Sequence, residues 1–429
     1  MPQPTLIHAS LPLLQKSPSS PAPLESETFS REKRRTSLLV KVTLIAWAVL
    51  IGVVLVRAAL FNGSHTVIPT YVGAGDHWLH GQPLYKGQRG YVYSPLVAAF
   101  FAPLSALPHG VSYPLWLLMS FAMYAGAVWW FLRAQILPAA SRHAVLVFLL
   151  ILPLSIGNFS NGQVNPFVIG LLLCAVTAIR ERWMWLAAFC VALSVYFKIY
   201  PIAMGLVLVV AYPKDFSWRF FAALIGLGAL SFVLQRPSYV WSQYQLWVAT
   251  RLADNRLQYQ MDIAPRDLWM IFKTVHFPIN EQIYKLLQIA SGGAIAVLAV
   301  LAQFRFRWSN ERTLVAIFCL VDAWMLLCGP ATESATYVML APAAVFALVA
   351  SLNRAQFSVM MRFTTFSAYA FLVAGLGVNS FLHLKKSGYV MSVQPLGALI
   401  FLGFALAWVL NDPCWESEKP ASAPARENA

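Results

Sequence analysis

Long apolar runs, nearly free of charge, alternate along this chain with short polar stretches. The apolar positions are continuous rather than every second residue, so they predict helices and not barrel strands. Runs of about 20 apolar residues match a hydrocarbon core roughly 30 Å thick. Only helices and closed barrels cross such a layer, because backbone N–H and C=O groups find no water inside it. Twelve spans are predicted, near 38–60, 111–132, 143–157, 164–179, 183–198, 200–212, 217–234, 284–303, 312–329, 335–352, 362–382 and 392–410. A further apolar stretch, 93–107, is short and holds Pro95 and Pro103, so it reads as a juxtamembrane or re-entrant helix.

Composition sharpens this picture. Hydrophobic residues make up 59% of the 429 positions and charged residues 11%, against about 25% charge in a soluble domain. Mean hydropathy is +0.62. A soluble enzyme is excluded, and the fold class is an all-α polytopic membrane protein. The net charge of +14 would suit nucleic acid in a soluble protein. In a membrane protein it reports Lys- and Arg-rich cytoplasmic loops, so no nucleic-acid partner is expected. The five cysteines show neither metal spacing nor a disulfide pattern and read as small apolar packing residues.

Residues 1–37 are polar, rich in Pro and Ser, and end in a basic cluster at Arg31, Lys33, Arg34 and Arg35. They read as a disordered cytoplasmic tail, followed by a transmembrane domain over 38–410 and a second cytoplasmic tail over 411–429. With the first tail inside, the positive-inside rule puts Arg133, Arg142, Arg180, Arg182, Lys214, Arg219, Arg305, Arg307, Arg312, Arg354 and Arg362 on the cytoplasmic side. The connections left for the outer face differ in kind. They are the loops 61–110 and 235–283, the segment 157–165, the turn 197–201, the stretch 329–334 and the loop 383–386. Polar residues able to do chemistry thus gather on one side of the membrane.

Each of these candidates has a plainer alternative. Asp76, with His65, His77 and His80 nearby, suits a general base at the membrane surface, or merely solvates an interfacial helix. The histidine spacing is too weak to predict a metal. Lys198, before Tyr200 and Pro201, suits a lipid-linked phosphate, or snorkels to the headgroups. Gln163 and Asn165 suit sugar hydroxyls, or hydrogen-bond neighbouring helices. Glu333 is a second carboxylate candidate, or a helix cap. Arg251, Arg256 and Arg266, set among Asp254, Asp262 and Asp267, either clamp a phosphate or pair among themselves.

The stretches Tyr71…Ala74…Gly81-Gln82-Pro83-Leu84-Tyr85, Tyr93-Ser94-Pro95, Gly162-Gln163-Val164-Asn165, Phe197-Lys198-Ile199-Tyr200-Pro201 and Gly329-Pro330, in this order between spans over roughly 60–350, resemble glycosyltransferase family 87. These are polyprenyl-phosphate-mannose-dependent mannosyltransferases of the GT-C superfamily. The resemblance implies a GT-C-like bundle with juxtamembrane outer loops, in a bacterial inner membrane, which fits the twelve expected helices. It implies transfer of a hexose, mannose first, from a polyprenyl-phosphate donor to a lipid or glycan acceptor on the outer face, with inversion and no cofactor. It also implies a carboxylate in the first outer loop as base and Lys198 on the donor phosphate, with Tyr71 and Tyr200 completing the substrate-binding set. The chain departs from the family where the usual Asp lies: His65-Thr66-Val67-Ile68-Pro69 holds no carboxylate. Asp76 is therefore expected as the base, with His65 and Glu333 behind it. The alternatives are a transporter or flippase, and a catalytically inactive membrane protein of envelope assembly.

Overall fold

The computed structural model describes residues 23–61, 63, 65–85, 91–261, 263–329, 332–380 and 387–416; for 23–35, 256, 378–380 and 416 it describes the backbone alone. The expected loop at 383–386 and the tail from 417 lie outside the described residues, as do residues 1–22. The chain divides into two compact units, Met1–Ala46 and Trp47–Ala429. Every described element is helical.

The first helix, α1, runs Pro23–Leu60. It begins well before the expected start at 38, so residues 23–37 are helical rather than disordered. Pro23 supplies a first helical position that needs no N–H, and Glu, Lys and Arg propagate a helix well once it continues into an apolar span. Within the first unit, Thr43 Oγ1 donates to Leu39 O at 2.8 Å.

The second unit continues with α2 (Ile68–Leu79), α3 (Pro95–Ser105), α4 (His109–Arg133), α5 (Pro138–Arg142), α6 (Ala144–Asn161), α7 (Asn165–Arg180), α8 (Met184–Phe197), α9 (Ile202–Ala211) and α10 (Ser217–Leu234). Then follow α11 (Pro237–Ala253), α12 (Leu268–Thr274), α13 (Glu281–Val300), α14 (Asn310–Cys328), α15 (Ala341–Ala350), α16 (Val359–Ser380), α17 (Gly388–Leu410) and α18 (Pro413–Glu416). Each of the twelve expected spans falls on a helix, and the stretch 93–107 is α3. Among the described residues, seven helices are long and apolar enough to cross a membrane, while those at 165–180, 184–197, 202–211 and 334–350 are shorter apolar helices. The protein is multi-pass. The region 235–283 holds helices as well as connecting segments. Pro237 opens α11, Asp267 caps α12 by accepting from Met270 N, and Asn280 caps α13 by accepting from Ile283 N.

Burial separates inner from outer helices. In α7, α14 and α15 nearly every side chain is buried, whereas α10 and α13 leave Ile225, Val233, Leu286 and Ile289 at least 66% exposed. Apolar side chains that bare in a multi-pass protein are the surface offered to lipid. The core is aromatic in places: Phe131 of α4 stacks on Phe346 of α15 with centroids 4.5 Å apart.

The two ends of the bundle differ chemically. At one end Arg180, closing α7, pairs with Glu311 at 2.6 Å, and Tyr212 donates to Asn310 Oδ1 at 2.8 Å. There Arg312 binds Val409 O through Nε and Nη2 at 3.0 and 2.7 Å, pairs with Asp412 at 2.7 Å and lies 4.0 Å from the Trp308 ring centroid. The opposite ends of the same helices, about 24 Å away along the 16 residues of α7, carry Gln163, Lys198 and Gly329 around a cavity.

Candidate active site

The cavity of about 930 Å³ is at the upper end of the range for small-molecule sites. Its walls come from segments far apart in sequence, each aimed by a local feature.

Gly162 caps α6 in the left-handed conformation, φ +66°. A Cβ there would sit 2.3 Å from Ile68 Cγ1, so only glycine makes the turn. Trp116 Nε1 donates to Gly162 O at 3.0 Å, and Gln163, next in the chain, lines the cavity. Asn165 is fully buried behind it. Its Nδ2 donates to Asn158 Oδ1 at 3.0 Å and to Gln163 Oε1 at 3.2 Å, while Asn158 Nδ2 donates to Ala335 O at 2.6 Å. Asn165 thus orients Gln163 rather than reaching the cavity.

Lys198 ends α8 in an extended conformation, φ −148° and ψ 134°, which turns its side chain away from the helix axis and into the cavity wall. Its Nζ lies 5.6 Å from the Tyr200 ring centroid, and Tyr200 donates to Met339 Sδ at 3.0 Å. Tyr71, on the buried face of α2, meets Tyr93 OH at 3.1 Å. Burial, and then Tyr93, pushes its hydroxyl well above the ordinary tyrosine value, so it keeps its proton.

Helix α11 closes another side. Tyr239 donates to Gln82 O at 2.7 Å, and Gln243 Oε1 accepts from Leu84 N at 2.9 Å, so the helix is tied to the loop after α2. Arg251 and Asp254, 3.4 Å apart, both line the cavity. Asp254 also accepts from Tyr259 OH at 2.6 Å.

Two further carboxylates, Asp267 and Glu333, face the cavity with Lys285 of α13. Asp267 is 3% exposed, and burial pushes its carboxyl up to about 7 against the backbone N–H bonds and Lys273 that favour its charge. Glu333 is exposed and caps the 3₁₀ turn Ser334–Leu340 with Thr336. Three cations, Lys198, Arg251 and Lys285, and three carboxylates, Asp254, Asp267 and Glu333, line the cavity, so it offers groups of both signs.

Six expected residues therefore meet at one cavity: Glu333, Lys198, Gln163, Tyr200, Tyr71 and Arg251. Others lie elsewhere. The Asp76 side chain is 54% exposed and 3.3 Å from His80 Nδ1, off the buried stripe of α2. His65 is an exposed turn residue at φ +60°. Arg266 is 9% exposed but is absent from the lining. The side chain of Arg256 lies outside the described residues. Sequence reasoning named Asp254 and Asp267 only as the charges set around the arginines of 235–283, and it did not name Lys285. For Lys285 the signal was a cation inside an otherwise apolar span, and for Asp267 a carboxylate three residues before Met270, at a helix start.

Fold and cavity define a polytopic helical membrane protein with a charged, part-apolar pocket at one end of its bundle. The chain belongs to glycosyltransferase family 87, whose model matches residues 91–330, more than half of its length. A polyprenol-phosphate-mannose-dependent alpha-(1-2)-phosphatidylinositol pentamannoside mannosyltransferase of Mycolicibacterium smegmatis is 28% identical over 201 residues, covering 43% of this chain and 46% of that one. The match thus spans about half the length of that curated relative. The crystal structure of ArnT from Cupriavidus metallidurans bound to undecaprenyl phosphate superposes with a TM-score of 0.37 at 14% identity, over 88% of this chain and 77% of that one.

Proposed function

We propose that this protein moves a hexose, mannose first, from a polyprenyl-phosphate donor to a hydroxyl of a lipid or glycan acceptor inside the cavity. The observation that carries the reading is the meeting of Lys198, Arg251 and Glu333 in one pocket. Family membership supports glycosyl transfer. The name of the mycobacterial relative supports a mannosyl donor on polyprenol phosphate and a glycolipid acceptor.

The chemistry follows from the residues. Glu333 takes the proton of the acceptor hydroxyl, whose oxygen attacks the anomeric carbon. The bond from that carbon to the phosphate oxygen breaks, and polyprenyl phosphate leaves carrying the extra negative charge. Lys198 and Arg251 stabilise that charge in a site walled by Tyr71, Tyr200 and Trp247, where low polarity strengthens the attraction. Gln163 binds sugar hydroxyls. Glu333 replaces Asp76 as the base because it lines the cavity and Asp76 does not. The basic end of the bundle is the cytoplasmic one by the positive-inside rule, so the cavity opens on the outer face of a bacterial inner membrane.

The test is turnover of polyprenyl-phosphate-mannose by the purified protein in nanodiscs with lipid acceptors, following release of polyprenyl phosphate. Lys198→Ala and Glu333→Gln each lower kcat by about 100-fold or more. Movement of intact lipid across vesicles without bond cleavage would replace this reading with transport.

A further inference from the structure

Six aromatic side chains line the cavity: Tyr71, Tyr93, Tyr196, Phe197, Tyr200 and Trp247. Five of them are largely taken up by the protein itself. Tyr71, Phe197 and Tyr200 are at most 7% exposed, so packing covers most of each ring. Tyr93 stands edge-on to Tyr71 with centroids 5.2 Å apart and meets Tyr91 at 5.7 Å. Tyr196 sends its hydroxyl to Leu224 O of α10 at 2.7 Å.

Trp247 of α11 differs. It is half-buried, and its indole N–H, the one polar group of the side chain, donates to Val92 O at 3.2 Å. Val92 lines the cavity too, so this bond fixes the ring at the wall. Tyr244 meets the indole at 6.3 Å and 72°, an edge contact that occupies at most one of its two faces. Among the described residues no other ring or cation meets it. The indole therefore offers the cavity an apolar π face and no spare donor.

The position of that face along α11 matters. Arg251 follows at i+4, on the same side of the helix and about 6 Å further along its axis. Both residues line the cavity. About 6 Å is the separation between a phosphate and the middle of a pyranose ring joined to it through one oxygen. A pyranose carries C–H bonds on its flat faces and hydroxyls around its rim. The weakly positive C–H hydrogens are attracted to the negative face of an aromatic ring, and the rim is left to polar groups such as Gln163.

We propose that Trp247 is the stacking platform for the donor's sugar ring, which lies on the indole face while its phosphate sits one helical turn on, at Arg251. This rests on the reading that a lipid-linked sugar phosphate enters the cavity. It adds the group that tells the sugar-bearing donor from the bare polyprenyl phosphate left after transfer. Once the hexose has moved to the acceptor, the spent carrier no longer has this contact, which favours its exchange for fresh donor.

The experiment compares the Kd of polyprenyl-phosphate-mannose with that of polyprenyl phosphate, for the parent, Trp247→Phe, Trp247→Leu and Lys198→Ala in nanodiscs. Trp247→Leu keeps an apolar side chain without a π face, and binds the mannose-bearing lipid about tenfold more weakly while polyprenyl phosphate binds as in the parent. Trp247→Phe keeps a ring without the N–H and stays within about threefold of the parent for both lipids. Lys198→Ala weakens both lipids alike. Equal weakening of the two lipids in Trp247→Leu, no weakening of either, or a loss in Trp247→Phe as large as in Trp247→Leu overturns the proposal. Should Trp247→Leu not fold, Trp247→Met makes the same comparison. A parent that binds neither lipid removes the reading of the cavity itself, whereas a parent that releases polyprenyl phosphate from the donor, with the two lipids weakened equally in Trp247→Leu, removes this proposal alone.

Discussion

Asp267 makes stability depend on pH in a direction opposite to ordinary acid denaturation. Its carboxyl is 3% exposed and is pushed up to about 7 in the folded chain, first by burial, against about 3.9 when unfolded. Between these values the folded state holds a proton that the unfolded state has released. Stability is therefore fully present below about pH 3.9 and declines as pH rises toward 7. The difference of about 3 pH units corresponds to about 4 kcal/mol over the whole window, and to about 2 kcal/mol between pH 5 and 7. The assay is thermal unfolding in detergent from pH 5 to 8, for the parent and Asp267→Asn. The amide keeps an oxygen to accept from Met270 N and cannot ionise. The parent loses several degrees in Tm from pH 5 to 7 relative to Asp267→Asn. Parallel curves for the two proteins would mean that Asp267 does not carry this pH dependence, because all other titrating groups cancel in the difference.

Three other outcomes are expected. Arg312→Met leaves Val409 O without its two donors and removes a cation from beside Trp308, so denaturant titration shows a loss of about 2–4 kcal/mol; the Asp412 pair adds little because that side chain is 69% exposed. Gly162→Ala meets both the left-handed φ of +66° and Ile68, so it lowers Tm and activity together, and Ile68→Ala in the same chain relieves the clash but not the backbone strain. Asp76→Asn leaves turnover within about twofold of the parent, since surface substitutions away from a site are nearly neutral.

The helices were legible because the physics that selects them is local. A run of apolar residues of membrane-spanning length admits one structure, and each expected span coincides with a helix. The cavity was legible only in part. Lys198, Arg251, Asp267 and Glu333 are brought together by long-range packing, and no spacing in the chain states which polar ends converge. Asp76 is instructive in another way. Ile68, Tyr71, Val72, Gly75 and Trp78 form the buried stripe of α2, spaced by three and four residues, and Asp76 falls off it. Helical periodicity alone turns Asp76 to water, whatever its chemical type suggests. In 235–283 the many charges hid the helices within the connection. The caps at Asp267 and Asn280 and the proline at 237 start helices there, and α11 brings Arg251 to the cavity.

The proposed chemistry requires a lipid-linked sugar phosphate in this cavity. The most direct measurement uses a polyprenyl-phosphate analogue with a photoreactive group beside the phosphate, irradiated with the protein in nanodiscs and mapped by mass spectrometry. Labelling in 196–200, 247–257 and 329–333, suppressed by unlabelled polyprenyl-phosphate-mannose, is the expected result. Labelling confined to the Arg312 end of the bundle, or around Asp76 and His80, would contradict it.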